Sequence, residues 1–90
     1  MSVRSLPPVD PLAPTGASVT EYDRTHYLLY ARLIDAADGD GDWKVAAGAI
    51  LECDVAHDQV AAKLCYDSHL ARARWIVGEG LDSLLHQAEA

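Results

Sequence analysis

The sequence predicts an all-α fold, a small helical bundle of about four helices that contains a helix-turn-helix with an extended turn. Two observations predict this class. Apolar residues recur along most of the chain with the helical period of about 3.6 residues. Capping residues precede these apolar segments and glycines follow them, as at the two ends of helices. With 90 residues, of which 50% are hydrophobic, the chain has the size of one domain.

The N-terminal segment is expected to lie outside this bundle. Residues 1–17 contain Gly16 and all four prolines of the chain, but few side chains able to form a core. Such a composition cannot bury enough apolar surface to offset the entropy of ordering. We therefore divide the chain into a flexible proline-rich tail, residues 1–17, and a helix-turn-helix-like domain, residues 18–90.

The first helix is predicted to begin after Ser18, which is followed three residues later by Glu21, the spacing of a capping box. It extends from Val19 to Ala37. When residues are placed at about 100° intervals, its core face consists of Tyr22, His26, Leu29, Tyr30, Leu33, Ala36 and Ala37. The histidine on this face is interpreted as a hydrogen-bonded core residue. The helix should end in the Asp-Gly-Asp-Gly run of residues 38–41, whose glycines allow a positive φ.

The second helix is predicted to be short and to have Asp42 as its N-cap. Its core face follows the helical period and consists of Trp43, Ala47, Ile50 and Leu51. The connector after it, residues 52–57, is six residues long. An ordinary helix-turn-helix uses about 3–4 residues at this point, so the connector predicts an extended turn.

The third helix carries apolar residues on two nearly opposite faces. It should begin after a cap at Asp58 or a neighbour and end near Val77. We predict that its core face consists of Val60, Ala61, Leu64, Ser68, Ala71 and Trp75, and that the second face contains Tyr66, Leu70, Ala73 and Val77. A short fourth helix, from Leu81 to about Gln87, can pack its leucines on the bundle. Either this helix and the first one cover the second face, or that face is exposed for binding.

The charge balance disfavours nucleic acid as the main partner. The chain has 14 acidic and seven basic residues, a net charge of −7. Nucleic-acid binding draws most of its non-specific affinity from cationic contacts to phosphate. Near the start of the third helix, where a DNA-binding face would lie, we predict an acidic surface of Glu52, Asp54, Asp58 and Asp67, against the single cation Lys63.

A calcium site is suggested by one run but is not predicted. Asp38, Asp40 and Asp42 alternate like the first three ligands of a calcium-binding loop. Trp43 then occupies the position that needs glycine for a sharp turn, and Ala49 the position of the bidentate glutamate. We interpret the run as a solvated turn followed by a helix cap.

Zinc binding and enzyme activity are weak alternatives. Cys53, His57, Cys65 and His69 are residue types that bind zinc, but their spacings match no common zinc finger. A cysteine nucleophile would also need a base and an orienting group. We therefore predict no enzyme activity, no cofactor and no metal. Only two cysteines, no start typical of a signal peptide, and apolar runs far below the ~20 residues of a membrane span predict a cytoplasmic protein.

Three segments of the chain resemble one known family. They are residues 66–75 (YDSHLARARW), residues 26–36 (HYLLYARLIDA) and the pair Asp42-Trp43 between them. The family is the extended-turn helix-turn-helix domain of proteobacterial mobile elements, and the resemblance covers about residues 20–86. In that family, activators join the domain to a second domain and bind DNA, whereas antiactivators consist of the domain alone. This short, acidic chain most resembles the antiactivators.

The resemblance implies binding to a transcriptional activator of the FseA type and to a TraR-type quorum-sensing regulator. The chain would then block transfer of a conjugative element by taking the contact that the activator's own domain makes. The alternative is a DNA-binding regulator that uses the third helix. From the second apolar face of that helix and its neighbours, we predict the partner-binding residues to be Tyr66, His69, Leu70, Arg72, Ala73, Arg74 and Val77.

Overall fold

The computed structural model describes residues 8–39 and 41–80. Within this part the chain forms four α-helices and no strand, so the predicted all-α class is confirmed. The helices are α1 (Glu21–Thr25), α2 (Tyr27–Asp38), α3 (Trp43–Ile50) and α4 (Gln59–Trp75), and a π-helical turn, Ile76–Gly80, continues α4. The predicted fourth helix, residues 81–87, lies outside the described residues.

The first helix begins with a capping box that is shifted by two residues from the predicted one. Thr20, not Ser18, is the N-cap, and its side chain accepts a hydrogen bond from the backbone N–H of Asp23 at 3.2 Å. The Asp23 carboxylate in return accepts one from the backbone N–H of Thr20 at 2.8 Å. Aspartate thus takes the place that glutamate or glutamine usually has in this motif.

A break at His26 divides the predicted first helix into α1 and α2. In a continuous helix the backbone N–H of His26 would donate to the carbonyl of Tyr22. That carbonyl instead faces Nδ1 of the His26 ring at 2.6 Å, and the backbone N–H donates to Asp23. His26 therefore has a φ of −116° and a ψ of 16°, outside the helical region. The prediction of one helix from Val19 to Ala37 is wrong, but His26 is buried and hydrogen-bonded, as expected.

The starts of α3 and α4 agree with the predicted caps, whereas the end of α2 differs. Asp42 accepts from the backbone N–H of Lys44 and Asp58 from that of Ala61, each at 3.0 Å. Gly39, which follows α2, has extended backbone with a φ of −89°. The expected glycine with a positive φ is absent from the described residues, where Glu52 in the α3–α4 connector has the only such angle, 59°.

The core lies where α2, α3 and α4 pack against one another. Its buried apolar residues are Leu29, Tyr30 and Leu33 of α2, Ala46, Ala47 and Leu51 of or just after α3, and Cys65, Tyr66, Ala73 and Ile76 of or just after α4. Trp43 and Trp75, which the periodicity placed in the core, are only half-buried at its edge.

The inward face of α4 is not the predicted one. Val60 is 72% exposed and Leu64 55% exposed, although both were assigned to the core. The buried residues of the helix are Ala62, Cys65, Tyr66, His69, Arg72 and Ala73. The apolar period of this helix gave no reason to place His69 and Arg72 inward. Here both are buried with hydrogen-bond partners, so the true inward face is rotated from the predicted one.

The described part of the predicted tail packs on the bundle. Ala13 is buried, and Val9 is half-buried against the core. The backbone N–H of Ala13 donates to the Ser68 hydroxyl of α4 at 3.0 Å. Residues 8–17 therefore do not form the free tail that their composition predicted, while residues 1–7 lie outside the described residues.

Two leucines provide a matched test of these helix faces. Leu33 has no exposed surface, so Leu33→Ala should lower the free energy of unfolding by about 2–5 kcal/mol. Leu64→Ala should change it by less than about 1 kcal/mol, since the side chain is 55% exposed. Urea unfolding followed by circular dichroism measures both. Equal losses for the two variants would contradict the orientation of α4.

Candidate protein-binding surface

The structure does not bring the predicted partner-binding residues together on the surface. Tyr66, His69, Arg72 and Ala73 are buried, and Leu70 is half-buried, whereas Arg74 and Val77 are exposed. The four buried side chains cannot meet a partner in this fold. The second apolar face of the third helix is thus largely the core face, and the exposed apolar residues Val60 and Leu64 lie elsewhere on α4.

An apolar groove lies where the first turns of α3 and α4 run side by side. Its volume is about 530 Å³, and it is lined by Trp43, Gln59, Val60, Lys63 and Leu64. Val60 and Leu64 are one helical turn apart and largely exposed, and the half-buried Trp43 faces them from α3. An exposed apolar groove of this kind on a small domain is typical of a protein-binding site.

Lys63, which lines the groove, contacts Trp43, Tyr66 and Asp67. Its ammonium nitrogen lies 4.9 Å from the centre of the Trp43 ring and 5.6 Å from that of Tyr66. It also forms an ion pair with Asp67 at 3.1 Å, one turn along α4. A cation above aromatic faces stabilises their position. The aliphatic stem of Lys63 can at the same time cover apolar surface while the charge remains in water.

Local hydrogen bonds determine where the two helices start and therefore where the groove lies. The caps at Asp42 and Asp58 begin α3 at Trp43 and α4 at Gln59. Between the helices, the backbone N–H of Cys53 donates to the carbonyl of Ala47 at 3.1 Å, which turns the chain back. The connector of the predicted extended turn is therefore ordered by its own backbone.

The four residues of the predicted acidic surface are exposed. Glu52, Asp54, Asp58 and Asp67 all lie on the surface. Asp54 accepts from the backbone N–H of His57 at 3.0 Å, and Asp58 is the cap of α4. Exposed carboxylates at the start of α4 give this end of the domain a negative potential, which repels phosphate and attracts basic partners.

A buried ion pair joins α1 to α4. Arg72 donates from Nε to one oxygen of Asp23 at 3.0 Å and from Nη2 to the other at 2.7 Å, a bidentate geometry. Tyr30 of α2 adds a third hydrogen bond to this carboxylate at 2.8 Å. Burial alone would raise the pKa of Asp23, but the hydrogen bonds from Arg72, Thr20 and Tyr30 lower it to about 2. The pair is therefore ionised at neutral pH.

A second network, with the buried His69 at one end, connects Asp10, Tyr22 and His69. The backbone N–H of Asp10 donates to the Tyr22 hydroxyl at 3.0 Å. The ring of His69 lies with Nε2 2.6 Å from that hydroxyl and with Nδ1 2.7 Å from the carbonyl of Cys65. Burial lowers the pKa of His69. Both ring nitrogens of His69 have a hydrogen-bond partner when the ring is neutral, with its proton on Nδ1, and when the Tyr22 hydroxyl donates to Nε2.

The four residues considered as zinc ligands differ in their exposure to solvent. His57 lies exposed in the connector, whereas His69 uses both ring nitrogens in the network described above. Burial, followed by the neighbouring Cys53, raises the pKa of the Cys65 thiol to about 12, so it keeps its proton at neutral pH. Zinc binds thiolate. Within residues 8–39 and 41–80, no three His, Cys, Asp or Glu side chains are grouped as metal ligands would be.

Sequence reasoning missed Asp23 and the structural role of Arg72. Arg72 was predicted to bind a partner, beside the second apolar face of the third helix. One local signal was present, since Thr20 and Asp23 have the spacing of a capping box. No local signal indicates that the same carboxylate binds an arginine 49 residues away.

The comparisons with known proteins show no family for this chain. It matches no protein-family model, and comparisons with curated proteins and with solved structures find no match. Among the described helices, none combines the length and the apolar character needed to cross a membrane. The function proposed below therefore depends on the groove, on the charge around it and on the sequence resemblance.

Two arginines of α4 give a matched test of the buried pair. Arg72→Ala should lower the free energy of unfolding by about 3–5 kcal/mol, because it leaves the buried Asp23 carboxylate without its counter-charge. Arg74→Ala removes an exposed ion pair with Asp38 and should cost less than about 1 kcal/mol. Chemical denaturation measures both. A small loss for Arg72→Ala would show that the pair does not hold α1 on α4.

The same pair predicts an acid dependence of stability. Because the pKa of Asp23 is about 2 in the folded chain against an ordinary value of 3.8, the unfolded chain binds the proton more readily. The stabilisation is complete above about pH 4 and is lost as the pH falls through about 2, a change of about 2 kcal/mol. Unfolding free energies between about pH 5 and pH 2 should fall more steeply for the wild type than for Asp23→Asn. The exposed Asp67→Asn serves as the control, and equal slopes for all three would contradict the prediction.

Proposed function

We propose that this protein is a cytoplasmic antiactivator that binds a transcriptional activator of conjugative transfer, of the FseA type, and holds it inactive. A TraR-type quorum-sensing regulator is the second partner of the proposal. The single observation that carries the proposal is the exposed apolar groove between the starts of α3 and α4, where Val60 is 72% exposed and Leu64 55% exposed. The proposed function involves no enzyme activity and no cofactor.

The groove supports a helical partner segment. Val60 and Leu64 form one apolar ridge on α4, and Trp43 on α3 forms the opposite wall. An amphipathic helix placed between two helices makes contacts at about every third or fourth residue, which suits a groove of this kind. Trp43 is its aromatic anchor, since aromatic side chains carry a large share of binding energy in such interfaces.

Charge supports a protein partner rather than DNA. The chain has a net charge of −7, and Asp58 and Asp67 lie exposed on the same half of α4 as the groove. Phosphate would be repelled from this surface, because DNA binding depends on cationic contacts. A partner helix with basic residues beside its apolar anchors would be attracted, and its association would be faster at low ionic strength.

The mechanism supported by the resemblance is competition. A free-standing copy of the domain can occupy the surface on which an activator's own copy acts, without itself binding DNA. The position of the groove agrees with this mechanism, because it includes the start of α4, the helix that would enter DNA in a helix-turn-helix. An activator segment bound in the groove of this chain would no longer be free to contact the activator's own domain.

Two valines of equal exposure provide the test of the groove. Val60 lines it and is 72% exposed, whereas Val45, 68% exposed, lies on α3 outside its lining. Val60→Ala combined with Leu64→Ala should weaken binding to a co-purified FseA-like activator by about 5- to 100-fold, or 1–3 kcal/mol. Val45→Ala should leave it unchanged. Calorimetry measures affinity after circular dichroism has verified folding.

A gel-shift titration separates the two function classes. The proposal expects that this protein releases the activator from its promoter DNA and does not itself shift the DNA. A shift by this protein alone, lost in Lys63→Ala, would favour the DNA-binding alternative. Absence of any complex with FseA-like or TraR-type regulators would overturn the antiactivator proposal.

A further inference from the structure

Residues 8–18, here called the strap, are held on the helices through their backbone. Six hydrogen bonds join the strap to side chains of the break at His26, of α1 and of α4. They connect Pro8 O to His26, Asp10 N to Tyr22, Asp10 O to Cys65, Ala13 N to Ser68, and Gly16 O and Ser18 O to Arg72. On the strap side, each bond uses a main-chain N–H or carbonyl. The helices therefore recognise the main chain of this segment largely independently of its sequence.

Few side chains of the strap contribute to its binding. Ala13 is buried, whereas Leu12 is exposed. Pro11 and Pro14 flank these two positions. Proline favours the extended conformation and loses little entropy when it is bound in it. The burial of Ala13 favours a small residue at this position of a proline-containing segment.

The strap leaves part of its groove unfilled. A cavity of about 370 Å³ lies beside residues 14–17, against Ser68, Ala71, Arg72 and Trp75 of α4. Gly16 lines this cavity, and a Cβ added to Gly16 would meet no atom within 4 Å. The guanidinium of Arg72 lies 4.2 Å from the centre of the Trp75 ring, which gives the cavity an apolar and cationic wall. A larger side chain at position 16 would therefore meet no steric obstacle beside the residues of this cavity.

We infer that the strap groove is a second protein-binding site, which takes an extended segment of a partner protein in place of the strap. The segment has the chemistry of the strap, with a small residue between prolines, and carries a larger apolar residue at the position of Gly16. This site uses the second half of α4 and is separate from the groove at Trp43. Backbone recognition makes the exchange possible, because a competing segment presents the same main-chain groups, and the empty cavity gives it an advantage.

Peptides matching residues 8–18 test the inference on the full chain. Ala13→Arg in the protein should release the strap, since the buried position has no room for arginine. Fluorescence anisotropy should then show saturable binding of the labelled wild-type peptide. The wild-type chain should bind this peptide at least about tenfold more weakly, because its own strap occupies the groove. A peptide with Gly16→Leu should bind about fivefold more tightly, and one with Ala13→Arg should not bind.

Further readouts keep the test decisive. If Ala13→Arg does not fold by circular dichroism, the Gly16→Leu peptide is titrated into the wild-type chain, where resonances of Ser68 and the Trp75 indole should shift. Absence of peptide binding to both chains, or equal binding of the Ala13→Arg peptide, would overturn the inference. Light scattering should show a monomer. A dimer that Ala13→Arg abolishes would assign the groove to a second copy of this chain and overturn its assignment to a partner protein.

Discussion

The rest of the structure depends on the buried pair of Asp23 and Arg72. This one contact joins α1 to α4, accepts the Tyr30 hydroxyl of α2, and uses the remaining donors of the arginine to hold the strap. A carboxylate and a guanidinium out of water must meet each other with good geometry, and here they are bidentate. A helix of five residues such as α1 has little stability alone. Its position is therefore set by the pair.

The use of polar groups in the interior explains the apolar groove outside. The inward face of α4 contains His69 and Arg72, both satisfied by hydrogen bonds, and the helix is correspondingly rotated. Val60 and Leu64 are thereby exposed on the outer side. A small domain has little core, so apolar residues that are left outside are costly unless a partner covers them. The exposed groove and the buried ion pair thus both follow from the orientation of α4 in the bundle.

The two proposed sites divide α4 between them, with the groove at its first half and the strap at its second. The groove presents side chains and is bordered by carboxylates, so it discriminates partners by shape and charge. The strap site presents hydrogen-bond donors and acceptors to a main chain, so it discriminates mainly by conformation and by the small space at Ala13. One helix can in this way serve two partner segments at once.

The sequence by itself determined the helical class, the caps at Asp42 and Asp58, the extended turn and the buried His26. These features depend on hydrogen bonds and periodicity within a few residues of the chain. Only the tertiary structure decided which face of α4 is buried and that residues 8–17 pack on the bundle. The contacts responsible are Asp23 to Arg72, Pro8 to His26 and Ala13 to Ser68, separated by 49, 18 and 55 residues. Hydrophobic periodicity cannot detect them, because it treats every buried charge and every proline-rich segment as solvent-facing.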